Sequence, residues 1–282
     1  MISLEQLASR PQEPFAHPPY DQWLTPDGKV SAEFFRTVDG FLVRFPAQVD
    51  FAIDPTGQRV ICVPTPGMLK DPLNDIYLNS ILPILGNYSG ELNLHGSATA
   101  VANRALAFMG LSRRGKTTLV GACARAGYPF LTEDVLSLKC AGERYWVQPK
   151  RPVLRLFPDS AAFLLSVEGL EPVATEKTAI DASRILPHHF KNVRLARIYI
   201  LGPGDTDSVV IKRLSKADAL TQILQHGFIL DVEDRARLRS HFERVARLVE
   251  TVPCHSLDFP RNYVDLPSVI ETIIDHNDEA VR

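Results

Sequence analysis

The pattern of apolar and polar positions changes character near residue 90 of the 282-residue chain. Before that point, residues 41–45, 49–53 and 59–63 are short runs rich in β-branched and aromatic side chains, which predicts strands. Asp54-Pro55-Thr56-Gly57 separates the last two and reads as a turn, with Gly57 free to take positive φ. These runs predict a small antiparallel sheet. Residues 71–86 then place Leu73, Ile76, Tyr77, Ile81 and Ile84 at helical spacing, with Asp71 as a cap and Pro72 in the first turn. Residues 1–35 hold Pro11, Pro14, Pro18, Pro19 and Pro26, and each proline removes an amide donor. An irregular arm is expected there, with a short helix over 3–9.

After residue 90, strands and helices alternate. Strands are predicted at 91–94, 105–108, 130–131, 135–138, 145–147, 197–201 and 208–213. Helices are predicted at 116–126, 158–166, 215–227, 231–250 and 266–276, the first closing near Gly127. Such alternation predicts an α/β domain. The expected division is a first part over 1–90 (arm, small sheet and helix) and an α/β domain over 91–282. Neither an internal repeat nor a low-complexity tract interrupts the pattern.

Composition narrows the functional classes. The chain is 45% hydrophobic and 23% charged, and 31 basic residues against 33 acidic ones give a net charge of −2. That is ordinary globular usage and excludes a disordered or collagen-like chain. The near-neutral balance argues against a nucleic-acid partner, which usually meets a basic excess. Cys62, Cys123, Cys140 and Cys254 form no CxxC pair, so they read as core residues in a reducing compartment. No apolar run reaches the roughly 18 residues of a membrane span, and the N-terminus lacks a signal-peptide pattern. A cytoplasmic protein without a membrane partner is the expectation.

The densest chemistry lies in Gly110-Leu111-Ser112-Arg113-Arg114-Gly115-Lys116-Thr117-Thr118, which fits G-x-x-x-x-G-K-[ST]. A strand precedes it and a helix follows, as the motif requires. In such a loop the backbone amides turn inward around a polyphosphate, and the helix N-terminus adds its dipole. Gly110 and Gly115 give room for close approach. Lys116 reaches the β- and γ-phosphates, and the Thr117 hydroxyl is a magnesium ligand. Arg113 and Arg114 either add charge to the phosphate site or lie exposed.

Two carboxylates, Glu133 and Asp134, directly follow the short strand at 130–131. One can hold Mg²⁺ and the other can accept the proton of an attacking hydroxyl. Adjacent strand residues point to opposite faces, so the pair can serve one point only where the backbone turns. Upstream, His95 sits beside Gly96 and Ser97 on a strand leading toward the loop, and reads equally as a site residue or a structural one. The arginines of 231–250 read as a solvated face, or else a groove for an acidic leader peptide or a subunit partner. His188 and His189 read as a polar loop or lid rather than a metal pair, and His255 as structural.

In their order, Leu94-His95-Gly96-Ser97, the 110–118 loop and Leu131-Thr132-Glu133-Asp134-Val135 resemble the catalytic domain of HPr kinase/phosphorylase and its stand-alone relatives. Leu154-Arg155-Leu156-Phe157-Pro158-Asp159 and Val252-Pro253-Cys254-His255-Ser256-Leu257 resemble two further segments of those relatives. The likeness spans about residues 35–275. It implies a P-loop fold akin to the nucleotide domain of phosphoenolpyruvate carboxykinase, with a small β-rich N-terminal part. It also implies an ATP- and Mg²⁺-dependent phosphotransferase acting on a serine. Stand-alone relatives include kinases of ribosomal-peptide clusters that modify the C-terminal serine of lasso peptide precursors.

By that resemblance Lys116 and the loop bind nucleotide, Thr117 and Glu133 serve the metal, Glu133 or Asp134 is the base, and His95 lies near the transferred phosphate. Glu133 stands where the family's pair usually begins with Asp. The Gly-rich downstream motif of HPr kinase/phosphorylases is not found. Arg155 reads as a phosphate or acceptor-carboxylate contact, or as an edge-strand surface residue. The expected function is therefore a serine kinase for a peptide or small protein. Its alternatives are a non-catalytic nucleotide-binding regulator, an HPr-directed kinase, or a small-molecule kinase or ATPase. The resemblance leaves room for a homo-oligomer, and the acceptor and the oligomeric state are open from sequence.

Overall fold

The computed structural model describes residues 2–165 and 177–279 of the chain. It is a mixed α/β protein with several sheets. Two compact units are distinguished: residues 1–90 with 228–239, and residues 91–227 with 240–282.

The first unit is built on a six-stranded sheet. Its strands are β1 (Ser3–Gln6), β2 (Asp21–Leu24), β3 (Val30–Thr37), β4 (Gly40–Phe45), β5 (Val49–Ile53) and β6 (Arg59–Pro64), in the order β1-β6-β5-β4-β3-β2. Only the β1–β6 pair is parallel. Phe34, Val43, Phe51, Val60 and Cys62 are buried by it. The expected 54–57 turn is present. Gly57 has φ +72°, and Asp54 Oδ1 accepts from the amides of Gln58 and Arg59, both at 2.8 Å.

Two expectations for the first 35 residues are corrected. The segment placed as a helix over 3–9 is the strand β1, because its amides and carbonyls complete the open edge of β6. The irregular arm contains β2 and the start of β3. Its prolines fall in the connections, at 11–19 and 26, where no ladder donor is needed. The helix expected at 71–86 runs as α1 (Lys70–Ile76), a π turn (Tyr77–Ile81) and α2 (Leu82–Tyr88). The wide turn precedes Pro83, which has no amide and whose ring would strike the carbonyl four residues back.

The remaining elements follow in chain order, all in the second unit except the first turn of the helix Arg235–Thr251, which falls within residues 228–239. They are β7 (Leu92–Val101), β8 (Arg104–Met109), α3 (Lys116–Arg125), β9 (Phe130–Thr132), β10 (Val135–Ala141), β11 (Arg144–Gln148) and β12 (Val153–Leu156). There follow α4 (Pro158–Leu165), β13 (Thr178–Asp181), β14 (Val193–Leu201), β15 (Val210–Arg213), α5 (Lys216–Leu224), α6 (Arg235–Thr251), β16 (Cys254–Asp258) and α7 (Leu266–Glu279). The last residue of the helix expected at 158–166 lies outside the described residues.

The main sheet runs β11-β10-β7-β8-β14-β16-β15, with β9 also paired to β7. β8, β14 and β16 are parallel neighbours. Both faces of β8 are covered, which is why it reads as a continuous apolar run rather than an alternating one. Leu106 and Phe108 pack with Leu119, Val120 and Cys123 of α3 and with Val269 and Ile273 of α7. Ala105, Ala107 and Met109 pack on the other face with Ile223 of α5 and Val245 and Leu248 of α6. β7 and β8 are joined by Ala102 and Asn103, at φ +47° and +60°, a tight hairpin turn. The hairpin makes β7 far longer than the 91–94 run that was predicted.

The helix expected at 231–250 begins at Arg235, since Asp234 Oδ1 accepts from the amides of Ala236 and Arg237 and caps it there. Its Arg235, Arg237, Arg239 and Arg247 are exposed, in keeping with a solvated face. Likewise α5 stops at Leu224 rather than 227. Cys62, Cys123 and Cys254 are buried free thiols, whereas Cys140, expected in the core, is exposed at the end of β10. None of the described helices is long and apolar enough to cross a membrane.

Candidate functional site

The loop Gly110–Thr118 leaves the carboxyl end of β8 and enters α3, and its geometry follows from its glycines. Gly110 has φ +143°, and a Cβ there would lie 3.1 Å from the Leu201 carbonyl oxygen, so only glycine lets the loop start this close to β14. Gly115, at φ +84°, is the residue that caps α3. Arg113 also takes positive φ, +65°. Leu111, Ser112 and Arg113 are exposed, while Lys116 and Thr117 are buried at the first turn of α3.

Lys116 Nζ donates to the carbonyls of Gly110 (2.7 Å) and Leu111 (3.1 Å), so the lysine folds back over its own loop. Burial first, and then the positive charge of Lys177, holds its pKa down to about 8. Thr118 turns away from the loop mouth, its hydroxyl 3.2 Å from that of Ser160 on α4. Arg114 lies between, half-buried.

Glu133 and Asp134 connect β9 to β10. The Val135 amide donates back to the Glu133 carbonyl at 2.8 Å, and Asp134 at the tip has φ +67°. This is a three-residue turn of a kind that L residues rarely adopt. Thr132 Oγ1 fixes it by donating to the Val135 carbonyl at 2.7 Å. The backbone therefore does turn between the two carboxylates. Both reach the same guanidinium: Arg155 on β12 pairs with Asp134 through Nη2, and its Nε lies 3.8 Å from Glu133 Oε2. Glu133 Oε1 also accepts from the Thr117 hydroxyl at 2.8 Å. Arg155, half-buried on its two-stranded sheet, thus faces the acidic pair.

His95 joins the group from β7. Its Nδ1 lies 3.9 Å from Asp134 Oδ1, and the next amide, of Gly96, donates to the Asp134 carbonyl at 3.1 Å. Gly96 allows this packing, since a Cβ there would approach the Phe108 carbonyl at 3.1 Å. Burial, followed by the charges of Lys116, Lys177 and Arg155, lowers the His95 pKa to about 3, so the ring is neutral.

Two further residues belong to this neighbourhood that were not picked out from the sequence. The His226 carbonyl accepts from the His95 amide at 2.7 Å, and burial with nearby His95 and Lys116 keeps the His226 ring neutral, its pKa near 3. Lys177, just before β13, acts electrostatically on Glu133, Arg155, Lys116 and His95. A lone lysine and a lone histidine carry no spacing signal, so only the sheet pairings could bring them here. His188 and His189, in contrast, stand apart from this group. The His189 amide donates to the Phe130 carbonyl and the His188 ring packs edge-on to Phe130, which ties the pair to β9. His255 is buried beside His276 and Tyr199.

Chemically the arrangement unites two carboxylates, three cations, two neutral imidazoles and the glycine-bounded loop. Among the described residues no group of three or more His, Cys, Asp or Glu is disposed to hold a metal ion. A hydroxyl and a carboxylate oxygen 2.8 Å apart, Thr117 Oγ1 and Glu133 Oε1, nevertheless form a hard-oxygen pair. Mg²⁺ is commonly held by one or two such protein oxygens, with phosphate and water completing its shell.

No family model matches the chain, and no curated protein does. Among solved structures, the chain is similar to the HPr(Ser) kinase/phosphatase from Coxiella burnetii. The two are 8% identical with a TM-score of 0.42, over 68% of this chain and 99% of that one.

Proposed function

We propose that the protein is an ATP- and Mg²⁺-dependent kinase that phosphorylates a hydroxyl, a serine of a peptide or small protein. The observation that carries this reading is the convergence of the 110–118 loop with the Glu133–Asp134 pair through Thr117, with Arg155 set against both carboxylates. A phosphate-binding loop alone would support nucleotide binding. A carboxylate pair held against it adds what phosphoryl transfer needs.

In this reading the loop amides and Lys116 hold the polyphosphate. Lys116 exchanges the Gly110 and Leu111 carbonyls for phosphate oxygens. Thr117 and Glu133 would hold Mg²⁺, which supplies charge neutralisation at the β- and γ-phosphates when bound. Asp134 accepts the proton of the acceptor hydroxyl. Its partner Arg155 can pair with phosphate as readily as with carboxylate, and moving to the phosphate frees Asp134. His95, neutral beside Asp134, orients the acceptor by hydrogen bonding and adds no charge.

The resemblance in residues 94–97, 110–118 and 131–135 supports serine as the acceptor, and its narrowest form is the C-terminal serine of a lasso-type precursor peptide. The test is incubation with γ-labelled ATP and Mg²⁺ and with HPr, a serine-ending precursor peptide or no acceptor, read by intact mass. Gain of one phosphate on an acceptor, lost in Lys116→Ala, is the expected result. ATP binding without transfer to any acceptor would turn the reading to a nucleotide-binding regulator. Release of phosphate to water alone would turn it to an ATPase.

A further inference from the structure

The short β12–β13 ladder places a residue at the site that no motif marks. Its register pairs Leu154 with Ile180, Arg155 with Ala179 and Leu156 with Thr178. One step further, Lys177 comes opposite Phe157, and its Nζ lies 5.7 Å from the Phe157 ring centroid. The ladder therefore delivers Lys177 and Arg155 from facing strands at one end.

The other charged groups of the site are already engaged. Lys116 is held by two loop carbonyls, Glu133 by Thr117, and Asp134 by Arg155. Lys177 is exposed and forms no ion pair with any described residue. Lys116, Arg155 and Lys177 against Glu133 and Asp134 leave one positive charge in excess, with His95 and His226 neutral. A cation within electrostatic reach of Glu133 that forms no ion pair with it, and that solvent can reach, is disposed to meet an incoming anion.

We propose that Lys177 is a ligand of the transferred phosphoryl group, contacting the γ-phosphate of bound ATP together with Arg155. This rests on the kinase reading above and extends it to a residue outside the loop and the acidic pair. The γ-phosphoryl carries charge on three outer oxygens as it transfers. Lys116 comes to it from the loop side. Lys177 and Arg155 come from the ladder. A point charge on a flexible stem suits a group that moves between donor and acceptor. A solvent-facing lysine resting on Phe157 would make no distinction between ATP and ADP.

The experiment is titration calorimetry of Mg-ATP and Mg-ADP into the unaltered chain, Lys177→Ala and Lys177→Arg. Because the side chain is exposed, the fold should survive, and circular dichroism checks it. A charge-assisted contact to the γ-phosphate predicts that Lys177→Ala weakens ATP binding about tenfold or more while ADP binding changes by less than about twofold. Lys177→Arg should recover most of the ATP affinity. Equal losses for both nucleotides, or no loss for either, would overturn the role of Lys177 and leave the kinase reading standing. If the unaltered chain binds neither nucleotide, both fall.

Discussion

The Thr117 hydroxyl donates to Glu133 Oε1 across 2.8 Å, although sixteen residues of chain separate them. One belongs to the first turn of α3 and the other to the turn after β9. Both elements leave the main sheet at the same place, because β9 pairs with β7 and β7 with β8. The contact is between two buried side chains, so it couples the loop to the acidic turn.

Glu133→Gln keeps the shape of that contact and removes the charge. If Glu133 serves Mg²⁺, the concentration of Mg²⁺ needed for half-maximal transfer should rise about tenfold or more, with ATP saturation less affected. A magnesium titration of activity reads this directly. An unchanged magnesium requirement would remove Glu133 from the metal role.

Asp134 bears two separable demands, a carboxylate and a backbone φ of +67°. Asp134→Asn should cut turnover far more than ATP affinity, if the carboxylate is the base. Asp134→Gly and Asp134→Ala both remove the Arg155 pair, but only glycine takes positive φ without strain. Urea unfolding should therefore find Asp134→Ala less stable than Asp134→Gly by about 1 kcal/mol. Equal stabilities would mean that the turn relaxes freely.

Gly110 and Gly115 differ in what surrounds them. A Cβ at Gly115 meets nothing within 4 Å, whereas one at Gly110 lies 3.1 Å from the Leu201 carbonyl oxygen. Gly110→Ala should thus destabilise more than Gly115→Ala, which incurs only the backbone strain of about 1 kcal/mol. Paired denaturation curves decide it. The reverse order would show that the start of the loop can move away from β14.

Burial lowers the pKa of His226 to about 3 and of His241 and His255 to about 4. Arg244 adds to the effect on His241, and His276, Arg197 and Arg213 to that on His255. In the unfolded chain these rings take up a proton below about pH 6.5. The folded chain does not follow until about pH 4 or lower. Stability therefore falls as pH drops from about 6.5 to 4, by up to about 1.4 kcal/mol per pH unit for each group. His241→Gln should flatten that slope by one group's share, measured as urea midpoints at pH 7 and pH 5. An unaltered slope would mean that His241 is protonated in the folded chain.

Much of the protein was legible in its local pattern. The 110–118 loop between strand and helix, the 54–57 turn and the helices after residue 200 depend on spacing, glycine and capping, which act over a few residues. Glycine positions were especially readable, because positive φ excludes most side chains wherever the fold is. The acidic pair was visible too, and so was the condition it had to meet, a turn in the backbone between its members.

Tertiary structure decided what local pattern leaves open. Residues 3–6 form a strand because β6 offers an unpaired edge, a fact absent from those residues themselves. The run at 91–94 extends to Val101 because β8 pairs with Gly96–Val101 and β9 with Ala98 and Thr99. Arg155 fits a surface strand as well as an inward contact, and the β12–β13 ladder with the Asp134 turn set it against the acidic pair. Lys177 and His226 carry no signal of their own. A sequence by itself determines which backbone conformations each short segment can hold. Which distant side chains share one small volume is determined by strand order and register, and those are settled by the burial of many residues at once.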